Sequence, residues 1–471
     1  MNTVNKKQVI SIIGLFSFLS SLSGSSVNLA LPKISIALGI SNSASTWVLQ
    51  TGLITTAVLL VFFGHLGDLI SKNLVFIYGG VFFIVGSAIN GLAPNFVILI
   101  VGRIIQAIGS AMIMANTMGI ITETFPDKQR AEALAINSMF ISVGAISGPA
   151  IGGLIMGLTS WRGIFLINIP VGLVILWLGF KVLPRPKKSV HSLLQVVGQV
   201  NWLGQFLFTL GIIILFLSSN LFQKGATHLL LGTGILLFGV GLTIYAFVQD
   251  DHARQPWIAP ELLHNPTYML SITTLFLAMM VNVFSNVLLP FYLQSFLGLG
   301  ALKSGLIMGA QALVMLGVSP LVGYFADRWN RITIILVGLS LLLVSQIGYV
   351  IYPLSFNWLR ILGSIVLNGI GMGMFISPNN ALTMGVIDPK FAGVAGSFSS
   401  FARTLGMSLG VSLASTLLFL QLSGVRQITP ALGDNFMQAF HWVFVVAAGI
   451  SVVTILLMLY RALQTKHTKK A

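Results

Sequence analysis

Fourteen apolar runs, each about as long as a bilayer is thick, constrain this chain more than any other feature. They fall at 9–31, 46–66, 74–92, 96–121, 133–157, 163–183, 203–220, 228–248, 268–294, 304–326, 332–352, 358–385, 392–420 and 436–460. A helix needs roughly 20 apolar residues to cross the hydrocarbon core. The composition fits: 56% of the residues are hydrophobic and 7% charged, against about 25% charged in soluble domains. The sequence predicts an all-α polytopic membrane protein with fourteen spans. The first run follows Lys6 and Lys7 as a signal peptide would. It is too long for one, lacks a small-x-small cleavage site, and is expected to stay as a helix.

Basic residues set the direction of the chain, because cytoplasmic loops retain Lys and Arg. With the N-terminus inside, the inner loops hold Lys6, Lys7, Lys72, Lys128, Arg130, the Lys181–Lys188 group, Arg254, Arg328, Arg331, Lys390 and the basic tail. The outer loops hold only Lys33, Arg162, Lys224, Lys303, Arg360 and Arg426. That bias requires an even number of spans, with both termini cytoplasmic. The net charge of +15 is spread along these loops and forms no basic domain for a nucleic acid. With no cysteine, disulfides, zinc-thiolate sites and cysteine nucleophiles are excluded.

One charged pattern occurs twice. Gly64-His-Leu-Gly-Asp-Leu-Ile-Ser-Lys72 and Gly323-Tyr-Phe-Ala-Asp-Arg-Trp-Asn-Arg331 both read G-x-x-x-D-x-x-x-[K/R], in the inner loops after the second and tenth spans. Two plain six-helix repeats would put the second copy after the eighth span. Its place two spans later predicts two six-helix bundles with an inserted helix pair. The expected divisions are 1–183 and 268–460 for the bundles, 184–267 for linkers and inserted helices seven and eight, and 461–471 for a basic tail. Asp68 with Lys72, and Asp327 with Arg331, can pair across one helical turn or between adjoining helix ends. Broken and remade, such a latch would gate two bundles; the alternative is an interfacial pair that only sets topology.

These features resemble the Major Facilitator Superfamily, and within it the fourteen-helix drug:proton antiporters. The loop pattern is similar to the superfamily's signature, with Ser71 in place of a usual glycine. Arg103-Ile-Ile-Gln-Ala-Ile-Gly109 is similar to R-x-x-Q-G-x-G, with Ala107 for one glycine. Gly144-Ala-Ile-Ser-Gly-Pro-Ala-Ile-Gly-Gly153 resembles the antiporter signature, and Trp161-Arg-Gly-Ile-Phe-Leu-Ile-Asn-Ile-Pro-Val-Gly172 a run typical of the fourteen-helix branch. Gly144, Gly148 and Gly152 form a small-residue stripe that lets another helix approach closely. Pro149 removes a backbone donor and can bend the helix. Gly148, Pro149 and Gly152 are therefore either a pivot for gating or ordinary close packing.

Polar groups inside a bilayer are costly, so they are the candidates for substrate contact. Arg103, Gln106, Ser110 and Thr117 recur at helical spacing on the fourth span. Gln50 and Thr51 lie on the second, Asn282 and Asn286 on the ninth, Gln311 on the tenth and Asn368 on the twelfth. Asn379, Asn380 and Arg403 fall toward the inner ends of spans twelve and thirteen. Each amide could equally serve only to bond helices together. Arg103 cannot shed its charge and needs carbonyls, water, a counter-charge or an anionic ligand. Methionines such as Met315, with aromatics such as Phe375, could line an adaptable apolar cavity, although most such residues only pack.

The chain departs from the resemblance at its acids. Leu22-Ser-Gly-Ser-Ser-Val-Asn-Leu-Ala-Leu-Pro32 is similar to L-D-x-T-x-x-N-x-A-L-P, with Ser23 at the usual aspartate position. Asn201 likewise replaces an acid common in the branch. All ten acidic residues fall in loops or at helix ends. If protons are coupled, the candidates are Glu123, at the inner end of the fourth span, and His65, a residue type whose unperturbed pKa is about 6.5. The resemblance implies a transporter exporting amphiphilic small molecules in exchange for protons, from a bacterial cytoplasmic membrane, as a monomer without a cofactor. The missing carboxylate leaves a second reading, a carrier for an anionic metabolite or lipid-like anion anchored on Arg103. No enzyme motif or nucleotide-binding loop occurs in the chain.

Overall fold

The computed structural model describes residues 5–184, 201–222, 228–251, 260–326, 330–387, 392–422 and 424–468. Asp327 lies outside the described residues, and so do the side chains of His65 and Asp68. The main helices are α1 (Lys6–Ala37), α2 (Asn42–Leu69), α3 (Lys72–Leu92), α4 (Phe96–Thr124), α5 (Asp127–Leu158), α6 (Gly163–Val182), α7 (Trp202–Phe222) and α8 (Leu229–Asp251). The second half holds α9 (Pro266–Pro290), α10 (Ala301–Ala326), α11 (Arg331–Val350), α12 (Trp358–Met384), α13 (Ala392–Gln421) and α14 (Gly433–Thr468). Among the described residues, thirteen helices are long and apolar enough to cross a bilayer, and Trp202–Ser218 of α7 is a shorter apolar segment.

Short polar residues start these helices by accepting from exposed first-turn N–H groups. Ser41 caps α2, Asn95 caps α4, Asn265 caps α9 and Asn357 caps α12. The repeated loop pattern uses the same device. Ser71 accepts from Leu74 N ahead of α3, and Asn330 accepts from Ile332 N ahead of α11. Ser71 and Asn330, at the same position of the two copies, are thus both helix caps.

Helices α1–α6 pack on one another, as do α9–α14, while α7 and α8 pair and α7 leans on α2 and α13. The two halves meet where α5 runs along α10 and α2 along α13. Small residues allow the first contact: a Cβ at Gly153 would stand 2.8 Å from the Ala301 carbonyl, and one at Gly305 would strike the Pro149 carbonyl. Both described chain ends lie at one end of the bundle, called here the terminal end. The hydrogen bonds joining the halves among the described residues lie in the opposite, far part. There Gln294 Nε2 donates to Leu29 O at 2.8 Å, Gln427 Nε2 to Ile40 O at 2.7 Å, and Asn42 N to Arg426 O at 2.9 Å.

The glycine stripe of α5 packs on α1. Cβ atoms at Gly144 and Gly148 would strike the Phe18 carbonyl and the Ser25 hydroxyl, and Ser26 Oγ donates to Gly148 O at 3.0 Å. The second half has its own stripe on α13, Gly406 and Gly410, packed on α9 against the carbonyls of Phe276 and Met280.

Candidate functional site

Ser23 on α1, Ser87 and Asn90 on α3, Arg103 and Gln106 on α4, and Asn168 on α6 come together in one buried polar network. Each is at most 6% exposed. Gln106 is its hub. Its Oε1 accepts from Arg103 Nη1 at 2.6 Å and from Asn90 Nδ2 at 3.0 Å, and its Nε2 donates to Ser23 Oγ at 3.1 Å and Ser87 Oγ at 2.8 Å. Asn168 Nδ2 donates to Ser23 Oγ at 3.1 Å. Ser23 therefore supplies the acceptor that an aspartate would supply, without the charge. Arg103 Nε donates to Val48 O at 2.8 Å. Among the described residues no carboxylate touches the network, so the guanidinium charge is held by a carbonyl and an amide alone. Asn90 Oδ1 and Asn168 Oδ1 are buried without a donor among the described residues, which leaves the network able to accept as well as donate.

A second amide network occupies the matching place in the other half. Gln311 Nε2 on α10 donates to Asn282 Oδ1 on α9 and to Asn368 Oδ1 on α12, both at 2.8 Å. Ser345 Oγ on α11 accepts from Gln346 Nε2 at 3.1 Å and from Asn368 Nδ2 at 3.4 Å. The depths correspond: Gln106 and Asn368 each lie ten residues after the first residue of α4 or α12, and Ser87 and Gln346 fifteen after the first of α3 or α11. Asn282 and Asn286 are partly exposed on one face of α9, with Asn286 Nδ2 bonded to Asn282 O at 3.2 Å.

Other expected contact residues go elsewhere. Gln50 is fully buried and donates to Ser415 Oγ at 3.2 Å, tying α2 to α13. Phe375 is fully buried in the core of the second half, and Met315 is partly buried against that core. Lys72 forms an ion pair with Glu123 at 2.6 Å, its stem lying across Gly119 of α4. Glu123 is 60% exposed and stands apart from the buried network. Arg331 starts α11. Ser87, Asn90 and Asn168 are not among the contact residues expected from the sequence. The signal for Asn168 is the W-R…N-x-P-x-G run, since its amide enters the core just before Pro170. Ser87 and Asn90 share a face of α3 at i, i+3.

The family model of the Major Facilitator Superfamily matches residues 13–411. The chain belongs to that superfamily. It is a multi-pass membrane transporter rather than an enzyme, with the superfamily fold. The chain is 28% identical to the riboflavin transporter RibZ of Clostridioides difficile (strain 630) over 457 residues, 96% of each chain. It is 25% identical to the multidrug resistance protein Stp of Mycobacterium tuberculosis (strain ATCC 25618 / H37Rv) over 427 residues, covering 90% of this chain and 78% of that one. Identity to the fatty acid resistance protein FarB of Neisseria gonorrhoeae is 26% over 428 residues, 86% of this chain and 79% of the other.

Proposed function

We propose that this superfamily transporter exports amphiphilic small molecules by alternating access, with both termini in the cytoplasm, and that its cargo is uncharged or anionic. The observation that carries this reading is the Arg103 network: a fixed positive charge, buried, with an uncharged serine at the place where a carboxylate would balance it. A lipophilic cation entering that space meets net repulsion, whereas a carboxylate or a polar neutral group meets donors. The names of two relatives, a riboflavin transporter and a fatty acid resistance protein, fit cargo of those kinds. The paired networks of the two halves would contact cargo from both sides as the halves rock.

The test is flux in liposomes carrying an internal pH dye, challenged with cationic, neutral and anionic amphiphiles of matched size. Neutral and anionic cargo should move fastest, and Arg103→Ala should slow them at least about tenfold, the value of one or two hydrogen bonds to a charged group. Faster flux of cations by the unaltered protein would sink the proposal. The second reading, cation export in exchange for protons, draws on the multidrug resistance relatives. It requires a substrate-triggered proton signal from this chain, traced to Glu123 or His65 by replacing each. Ser23→Asp should raise cation flux and lower anion flux under the first reading.

A further inference from the structure

Arg403 lies eleven residues into α13, about 16 Å along the axis from the helix start. Its neighbours Phe401, Ala402 and Thr404 are at most 5% exposed, while Arg403 itself is partly exposed. Arg103 donates to a carbonyl and an amide, and Arg162 to the Ala93 carbonyl. Arg403 meets no acceptor among the described residues. A guanidinium at this depth is costly unless it faces water or an anion.

Neighbouring turns show where it points. Gly396 and Gly410 lie two turns to either side of Arg403, on the same face of α13. A Cβ at Gly396 would stand 2.9 Å from Met118 Sδ of α4 and 3.7 Å from the Met384 methyl of α12. One at Gly410 would stand 3.0 Å from Met280 Cα of α9. This face of α13 meets α4 of the other half as well as α9 and α12 of its own half. On α4, Arg103 and Met114 share the face of Met118, and Met114 is 37% exposed. Arg103 lies fifteen residues from Met118, about 22 Å toward the far end, and Arg403 lies seven from Gly396, about 10 Å in the same direction. Measured along the two helix axes, the two arginines therefore sit at depths about 12 Å apart.

We infer that Arg403 is a second anion-binding group on the transport path, taking the carboxylate or phosphate head of an amphiphile whose apolar body lies against Met114, Met118, Met280 and Met384. This rests on the uncharged-or-anionic reading above and narrows it to anions. Arg103 holds the head nearer the far end, and Arg403 holds it nearer the terminal end. Thioether side chains suit tails of varied shape, being flexible and polarizable.

The test uses the full chain in phosphatidylcholine nanodiscs, where no anionic lipid competes, with two fluorophore-tagged probes, an undecanoate and its primary amide. The unaltered protein should bind the acid about tenfold more tightly than the amide. Arg403→Gln should remove most of that preference, and Arg403→Lys, which keeps the charge, should retain it, with size-exclusion profiles confirming that both variants are folded. A preference that survives intact in folded Arg403→Gln overturns the inference. Equal binding of both probes by the unaltered protein overturns it too, while leaving the broader reading standing. Binding of neither probe removes both. Adding phosphatidylglycerol separates the sources of the anion: a lipid head at Arg403 would abolish the acid preference, whereas a substrate site would keep it.

Discussion

Arg103 shows how one glycine can place a charge. A Cβ at Gly52 of α2 would collide with its Nη2, so the guanidinium lies where only glycine leaves room. Gly→Ala in a free helix gains about 1 kcal/mol; here it should expel the guanidinium from the Val48 carbonyl and Gln106. Gly52→Ala is expected to cut transport nearly as far as Arg103→Ala, measured as flux in liposomes. Wild-type flux in that variant would mean that Arg103 acts from another position. Asn201 has a comparable local reason. Its Nδ2 donates to Gln249 Oε1 at 3.0 Å and to Asp250 Oδ1 at 3.2 Å, so an aspartate there would face a second carboxylate. Ser23, one serine among several on α1, stands out only through the resemblance, at the usual aspartate position. Chemical type alone marks out Arg103 and Gln106, because polar groups are few in apolar helices. Gln50 looks the same in sequence but bonds across to α13, since its partner Ser415 is 365 positions away. No local pattern could foresee that.

At the scale of elements, glycine stripes hold each half together. The stripe on α5 is visible in a motif, but its counterpart on α13 is not, because Gly406 and Gly410 sit in no recognisable signature. Gly410→Val should push α13 off the Met280 backbone of α9. Overpacking of this kind costs about 1–3 kcal/mol, so the thermal unfolding midpoint of the purified protein should fall. Gly317→Ala on α10, where an added Cβ meets nothing within 4 Å, is the control and should leave the midpoint unchanged. A Gly410→Val midpoint equal to that of the control would show that the stripe does not set helix spacing. The Lys72–Glu123 pair is a different kind of element contact. With Glu123 largely exposed, it adds at most about 1 kcal/mol, and its weakness suits a contact that opens and closes.

For the whole molecule, the far end is where the halves are tied in this conformation. Asn42 N and Arg426 O are 2.9 Å apart, a backbone approach compatible with a disulfide. The chain has no cysteine of its own, so Asn42→Cys combined with Arg426→Cys gives one defined crosslink. Oxidation should stop transport and reductant should restore it, read as flux before and after each treatment. Undiminished flux in the oxidised pair would mean that the halves need not part at this end. The sequence by itself determined the membrane class, the order and approximate places of the helices and the repeat of one charged loop. Those follow from backbone satisfaction in hydrocarbon and from charge, both of which act within a few residues of chain. Only the tertiary structure decided that Ser87, Asn90 and Asn168 join Ser23, Arg103 and Gln106, and that Gln311 bridges Asn282 and Asn368. Which polar groups meet depends on helix rotation and depth, and packing between segments far apart in sequence sets both.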